Sequence, residues 1–395
     1  MMHQDLSVNL KDLASKKLYR QRKSIQALKK GKIKINNRWV HNFSSNDYLG
    51  LTQNKIIKKS IIDGIKNYGN GSGASHLISG HYDIHDKVEN LASESLGFDK
   101  GILFSSGYSA NIGVIGALCD RNDVIFSDRL NHASLNEASL LSKSKFIRYN
   151  HLDLVHLEKA LKNSYGKNSY GKRRLIISDA VFSMDGDLIN LPAIIDLCEK
   201  YDAYLYVDDA HGYGVLGKNG QGILEHYYPE LDLKPKQKKR IIYMFTLGKS
   251  VGISGAIVLA NKNIVNYLIQ KARTYIYTTA SSPAISCGIL TSLRIVKEGK
   301  SLRNNLLKSI HLLREKIENK LLLSNSITPI QPILINDNSE TIKISEKLFE
   351  EGFYVPAIRP PTVPRGTSRL RISISALHEF KDILRLAELI NLNTK

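Results

Sequence analysis

The sequence predicts an α/β fold: a mainly parallel β-sheet covered on both faces by helices, followed by a smaller α+β domain. Three observations carry this. Between residues 46 and 281, short apolar runs alternate with amphipathic stretches, the pattern of parallel strands joined by crossover helices. The residues with chemical character come just after those runs, where such sheets bind their ligands. Beyond residue 281 the texture changes to helix, strand-like Ile333–Asn336, helix, alternating Arg369–Ser375 and a last helix.

Taken in order, residues 1–45 are basic and partly helical in pattern, and read as an arm or cap. Residues 46–281 form the large domain. Its strand runs are GILF (Gly101–Phe104), VIFS (Val124–Ser127), LIIS (Leu175–Ser178), YLYV (Tyr204–Val207), IIYMF (Ile241–Phe245) and AIVLA (Ala256–Ala260). Amphipathic stretches such as His132–Ser142 and Asn190–Tyr201 supply helices between them. Residues 282–395 form the small domain. One near-repeat, NSYGKNSYGKRR from Asn163, places Gly166 and Gly171-Lys172 at P-loop spacing. Arg173 stands where a magnesium-binding Ser or Thr is required, and the segment precedes its strand, so it reads as a solvated loop.

Composition narrows the function class. With 42% hydrophobic and 24% charged residues, the 395-residue chain has a globular balance and room for two domains. No apolar run is long enough to cross a bilayer. The first residues lack the apolar core of a secretory signal, and a cytoplasmic protein is expected. Cys119, Cys198 and Cys287 lie far apart and suit free thiols in a reducing compartment; no metal site is expected from them. The net charge of +19 raises the question of a nucleic-acid partner. The lysines are spread along the chain, however, with no recognition-helix, zinc or RNP signature. A basic surface of this kind suits an acidic partner or a polyanionic acyl carrier.

The chemistry lies after the strands. Ser106-Gly107-Tyr108 follows GILF at a strand-to-helix turn, where free N–H groups and the helix dipole favour an anion such as phosphate. Gly107 admits a close approach of the backbone. His132, after VIFSD, is placed to stack on a planar ring, and Ser183, after LIIS, to hydrogen-bond a ring hydroxyl. Asp208 ends YLYV with His211 three residues on. A carboxylate facing a pyridine nitrogen keeps it protonated, which makes the ring of pyridoxal phosphate an electron sink, and His211 is within reach of the ring's phenolic oxygen. A metal reading of Asp208, Asp209 and His211 lacks further ligands at fixed spacing. After IIYMF, Thr246 offers a phosphate contact, and Lys249 stands among glycines and small residues between two apolar strands. A desolvated lysine loses proton affinity and becomes a competent amine for a Schiff base. Each signal alone also fits a cap, a turn or a structural histidine; their order along successive strands points to a pyridoxal-phosphate site.

The segments NFSSNDYLGL, SGYSAN, NHAS, VFSMDGD, VDDAHG, TLGKSVGISGA and IRPPTVPRGTSRLRISISA closely resemble the α-oxoamine synthases, from about Leu18 to the C-terminus. The resemblance implies a fold-type I pyridoxal-phosphate-dependent transferase with a seven-stranded sheet. It also implies a homodimer with shared active sites, and decarboxylative condensation of an amino acid with an acyl thioester. AIRPPTVPRGTSRLR and FSMDGD together are most similar to the biotin-pathway branch, which joins L-alanine to a pimeloyl thioester on coenzyme A or acyl carrier protein. Glycine-using sister synthases share the same catalytic residues. The implied roles are Lys249 as Schiff-base lysine and proton carrier, Asp208 at the ring nitrogen, His132 above the ring, and Arg371 as the carboxylate clamp. Alternation in RLRISIS puts Arg369 and Arg371 on one face, with an exposed strand position open for Arg369. Asn46, Arg20, Arg22 and Arg359 are implied contacts of the acyl chain, and Thr278 and Thr279 of the partner subunit's phosphate. Two departures stand out: Asp179-Ala180 where many relatives have Glu-Gly, and His76 where an Arg is frequent.

Overall fold

The computed structural model describes residues 2–16, 18–19, 21–164 and 172–394. Arg20, and residues 165–171 of the near-repeat, lie outside them. A seven-stranded sheet forms the centre. In chain order its strands are β1 (Lys100–Phe104), β2 (Val124–Asp128), β3 (Lys145–Tyr149), β4 (Arg174–Asp179), β5 (Tyr204–Asp208), β6 (Ile241–Thr246) and β7 (Ala256–Ala260). The spatial order is β1-β7-β6-β5-β4-β2-β3. Strands β6 to β3 run parallel, while β7 lies antiparallel between β1 and β6.

The expected α/β fold is borne out, and every quoted apolar run lies in one of these strands. Alternate side chains serve opposite faces. Ile102, Ile125, Ile177, Tyr206, Met244 and Val258 pack with Ala110 and Val114 of helix Gly107–Leu118. Leu103, Phe126, Ile176, Val207, Phe245 and Leu259 face the other helical layer. Burial on both faces explains why these strands read as unbroken apolar runs. Strand β3 is the exception. It is an edge strand with Lys145 and Arg148 exposed and Phe146 and Ile147 half-buried, so its sequence gives no such run.

A second, three-stranded antiparallel sheet joins Ile330–Asn336, Ser368–Ser373 and Ala357–Ile358 in the C-terminal part. Strands Ala27–Lys29, Lys32–Ile35 and Arg38–Asn42 form a small N-terminal sheet, which Phe353–Tyr354 joins in parallel beside Arg38–Asn42. The N-terminal stretch is thereby tied to the C-terminal part. Helix Pro283–Glu298 packs on Lys55–Tyr68, and the following helix Lys300–Lys316 packs on Phe380–Asn393. The change of packing partner therefore falls at Gly299. No helix among the described residues is long and apolar enough to cross a membrane.

The parallel register brings chemistry to one edge. Asp179 and Asp208 end β4 and β5 as direct pairing partners, Thr246 ends β6, and helix Gly107–Leu118 starts three residues after β1.

Candidate active site

At the carboxyl ends of these strands lies a cavity of about 170 Å³, lined by Gly107, Tyr108, Asn111, His132, Ser134, Asp179, Ser183, Asp208, Ala210, His211, Met244, Thr246 and Lys249. Its residues come from each strand end named above.

Ser106 caps helix Gly107–Leu118: its Oγ accepts the Ser109 N–H at 3.0 Å, and Ser109 Oγ accepts the Ser106 N–H at 3.0 Å. Ser106 thus shapes the turn from outside the cavity lining, and the N–H groups at Gly107 and Tyr108 are ones that the helix itself cannot satisfy. Gly107 faces Thr246, whose Cβ would lie 3.8 Å from a Cβ added at the glycine. Thr246 Oγ1 donates to Gly255 O at 3.1 Å and accepts the Gly248 N–H at 3.2 Å. The turn and Thr246 together offer an anion site at one end of the cavity.

Lys249 projects from the loop after β6. Its Nζ is 2.7 Å from His211 Nε2, and His211 Nδ1 is 2.7 Å from the Tyr48 hydroxyl. Burial lowers the ammonium pKa to about 8, against the opposing pull of the Asp208 and Asp179 carboxylates. Burial, with the Lys249 and Arg371 charges beyond it, also keeps His211 well below its usual range, so its imidazole is neutral. With Lys249 protonated, one set of directions connects the chain. Lys249 donates to Nε2, Nδ1–H donates to the tyrosine oxygen, and the tyrosine hydroxyl donates to Asn46 Oδ1 at 3.1 Å.

Asp208 is held from behind. Asn111 Nδ2 donates to its Oδ2 at 2.8 Å and to Ser134 Oγ at 2.8 Å, while the Tyr206 hydroxyl donates to Asn111 Oδ1 at 2.6 Å. Ser134 Oγ in turn contacts His132 Nδ1 at 2.7 Å. The Ser134 backbone N–H also donates to this nitrogen, at 3.3 Å, so Nδ1 accepts and His132 carries its hydrogen on Nε2. Burial lowers the His132 pKa as well. Asp179 accepts the His132 backbone N–H at 2.7 Å. Burial, followed by the neighbouring Asp208 carboxylate, drives its carboxyl well above the usual range. Two buried carboxyls side by side thus divide: one is pushed towards its neutral form while the other is braced by an amide.

On the far side stands Arg371, buried on strand Ser368–Ser373. Its Nε donates to Ser183 O at 2.6 Å, Nη1 to Ser373 Oγ at 2.8 Å, and both terminal nitrogens to Asn46 Oδ1 at 3.3 Å. The two long contacts leave the guanidinium fork only weakly engaged towards Asn46. Arg369 corrects the exposed-strand option. It is buried and paired with Asp185, because its face of the strand packs on the loop after β4 instead of solvent.

The structure brings together Gly107, Tyr108, His132, Ser183, Asp208, His211, Thr246 and Lys249, with Asn46 and Arg371 linked through Tyr48. Arg22 is exposed and Arg359 half-buried, and neither lines the cavity. Thr278 is half-buried and Thr279 exposed, also outside the lining of this chain's own cavity. Sequence reasoning passed over Tyr48, Asn111, Ser134 and Asp179 as site members. Asn111 carried a signal: four residues after Gly107, it shares that glycine's helix face.

These groups fit pyridoxal phosphate. A carboxylate fixed by Asn111, a desolvated lysine amine and an anion-binding helix start surround one space, which matches a pyridinium nitrogen, an aldehyde and a phosphate on one planar ring.

The profile of the aminotransferase class I and II family matches residues 39–390. The chain is 44% identical to the 8-amino-7-oxononanoate synthase of Dechloromonas aromatica, over 98% of each chain. To that of Nitrosomonas eutropha it is 45% identical, over 97% of each. Among solved structures, the 8-amino-7-oxononanoate synthase of Francisella tularensis superposes with a TM-score of 0.76 at 31% identity, covering 89% of this chain and 97% of the other. The serine palmitoyltransferase of Sphingomonas wittichii superposes with a TM-score of 0.88 at 25% identity, covering 98% and 96%.

Proposed function

The chain belongs to the pyridoxal-phosphate-dependent aminotransferase class I and II family and stands among its 8-amino-7-oxononanoate synthases; from that premise we propose that it condenses L-alanine with a pimeloyl thioester. The products are 8-amino-7-oxononanoate, carbon dioxide and the free carrier thiol, a step of biotin biosynthesis. The observation that carries the reading is a desolvated Lys249 in one cavity with Asp208, with Arg371 tied to it through Tyr48 and Asn46.

The helix start at Gly107 and Thr246 would hold the cofactor's phosphate, Asp208 its ring nitrogen, His132 a ring face, Ser183 and His211 its hydroxyl side, and Lys249 its aldehyde. Bound there, pyridoxal phosphate supplies an electron sink for charge developing at the amino acid's α-carbon. Asp208, fixed by Asn111, keeps the proton on the ring nitrogen. Arg371 orients the alanine carboxylate through its guanidinium fork. Lys249 Nζ, with a pKa of about 8, takes the α-proton and returns it after carbon dioxide has left. His211 aims that nitrogen through its 2.7 Å contact. Asn46, Arg20, Arg22 and Arg359 remain the proposed contacts of the acyl chain.

The reading extends to a homodimer in which Thr278 and Thr279 reach the phosphate of the partner's cofactor; their position away from this chain's own cavity supports it. Free, buried Cys119 and Cys198, with thiols pushed up to about 12 by burial, support a reducing cytoplasm. The charge of +19 suits a polyanionic donor, an acidic acyl carrier protein or the phosphates of coenzyme A alike.

The test is a direct assay: holoenzyme with L-alanine or glycine, and with pimeloyl-coenzyme A or pimeloyl-acyl carrier protein, read by mass spectrometry of the amino ketone. Product from alanine is expected with at least one carrier. Product from glycine alone would move the chain to a sister reaction.

A further inference from the structure

Outside the lining of this chain's own cavity, the turn that opens at His76 brings three imidazoles into contact. His76 opens the π-helical turn His76–Gly80, His81 follows it, and His85 lies in the first turn of helix Asp83–Leu96. Their ring centroids stand 5.0, 5.1 and 5.3 Å apart. One nitrogen from each lies within 4.8 Å of the other two. We propose that His76, His81 and His85 bind a divalent transition-metal ion of the zinc type, with the fourth position open to solvent beside Asp86.

The hydrogen bonds behind the rings prepare two of the ligands. His81 Nε2 meets Asp86 Oδ1 at 3.1 Å, and a carboxylate there fixes the hydrogen on Nε2 and frees the Nδ1 lone pair. His85 Nε2 meets Ser281 O at 2.9 Å, which fixes the same tautomer. His85 Nδ1 accepts the Tyr82 N–H at 2.9 Å, a bond that metal entry exchanges for a dative one. His76 Nδ1 and His81 Nδ1 face each other at 2.8 Å, so without metal His76 donates its hydrogen to His81. Shifting that hydrogen to His76 Nε2 frees the lone pairs of both Nδ1 atoms for an ion. A tetrahedral ion would take bonds of about 2.0–2.1 Å to these nitrogens, which draws His76 and His81 slightly apart from their 2.8 Å contact. Burial lowers the pKa of His76 to about 3 and lowers that of His85, so both are neutral at pH 7, the form that ligates.

Placement gives the ion a role. His76 stacks on Tyr275 with ring centroids 4.6 Å apart, Ser75 pairs with Thr279, and Ala280 N donates to Ala74 O at 3.0 Å. Through His76 and His85 the ion would brace the turn against residues 275–281.

The experiment uses the holoenzyme, dialysed against chelator, loaded with zinc chloride and passed through gel filtration, with bound metal measured by mass spectrometry. Cobalt chloride provides a visible spectrum of the site. One ion per chain is expected, lost in His76→Arg and His81→Asn, while Asp86→Asn weakens binding by about 10–100-fold. Retained cofactor absorbance shows that each variant is folded. Sub-stoichiometric metal, or equal binding by wild type and the histidine variants, would overturn the site whatever the assay of the condensation shows.

Discussion

The two walls of the cavity are built differently. The wall around Asp208 and Lys249 hangs on neighbouring parallel strands, and its polar groups are saturated: Asn111 bonds Asp208, Ser134 and Tyr206 at once. The wall around Arg371 is assembled from three distant pieces of chain, Asn46, Ser183 and the strand Ser368–Ser373, and its contacts are uneven: 2.6 Å to the Ser183 carbonyl but 3.3 Å to Asn46. A sheet fixes groups whose positions must hold while a proton moves between them. A seam between chain segments can instead yield and re-form as a carboxylate enters. The difference separates chemistry from substrate capture, and substitutions on each wall should separate the same way.

The largest effect is expected from Lys249→Ala. Turnover should fall by at least about 10⁴-fold, with loss of the visible absorbance of bound cofactor, since both proton transfer and attachment go. An unchanged spectrum would remove Lys249 from its role. Asp208→Asn comes next, with kcat/KM lower by about 10²–10⁴-fold while cofactor still binds. Normal turnover by that variant would show that the ring nitrogen needs no carboxylate. On the other wall, Arg371→Ala should act mainly on capture. A lost charged hydrogen-bond pair is worth about 1.5–3 kcal/mol, so KM for alanine should rise roughly 10–100-fold. A pure kcat defect would erase the contrast between the walls.

The first wall was legible in the sequence because parallel strands put function at their ends: Asp208, Thr246 and Lys249 follow apolar runs that announce themselves. Its supports were not. Ser134 and Asn111 look like ordinary helix residues, and Asp179 was noticed as a departure from relatives without a place in the cavity. The second wall was legible only by resemblance, since Arg371 and Asn46 are 325 residues apart and no local pattern joins them. Alternation placed Arg369 and Arg371 on one face correctly, but it cannot say what that face meets; here it is Asp185 and the Ser183 carbonyl. Strand β3 escaped because its faces stay partly in solvent, with Lys145 and Arg148 exposed, whereas β1 at the other edge is covered and keeps its apolar run. Gly299, where helix packing changes partner, has no compositional mark beyond the glycine itself.

The smallest expected effect tests the link between the walls. Tyr48, fully buried, joins His211 to Asn46, and through His211 it touches the proton affinity of Lys249. In the protonated state the directions run from Lys249 to His211 to the tyrosine oxygen, so the hydroxyl strengthens His211 as an acceptor for the ammonium. Tyr48→Phe removes that support and leaves a buried imidazole N–H unpaired, at a stability cost of about 1–3 kcal/mol. The ammonium then loses stabilisation, so the lysine pKa should move down from about 8, by less than roughly one unit. The neutral amine is the form that attacks the cofactor's aldehyde. The rate of cofactor uptake by the cofactor-free chain should therefore rise with pH up to about 8 in the wild type and level off at a lower pH in Tyr48→Phe. An upward shift would reverse the hydrogen-bond directions assigned here, and an unmoved profile would mean that the two walls are electrically independent.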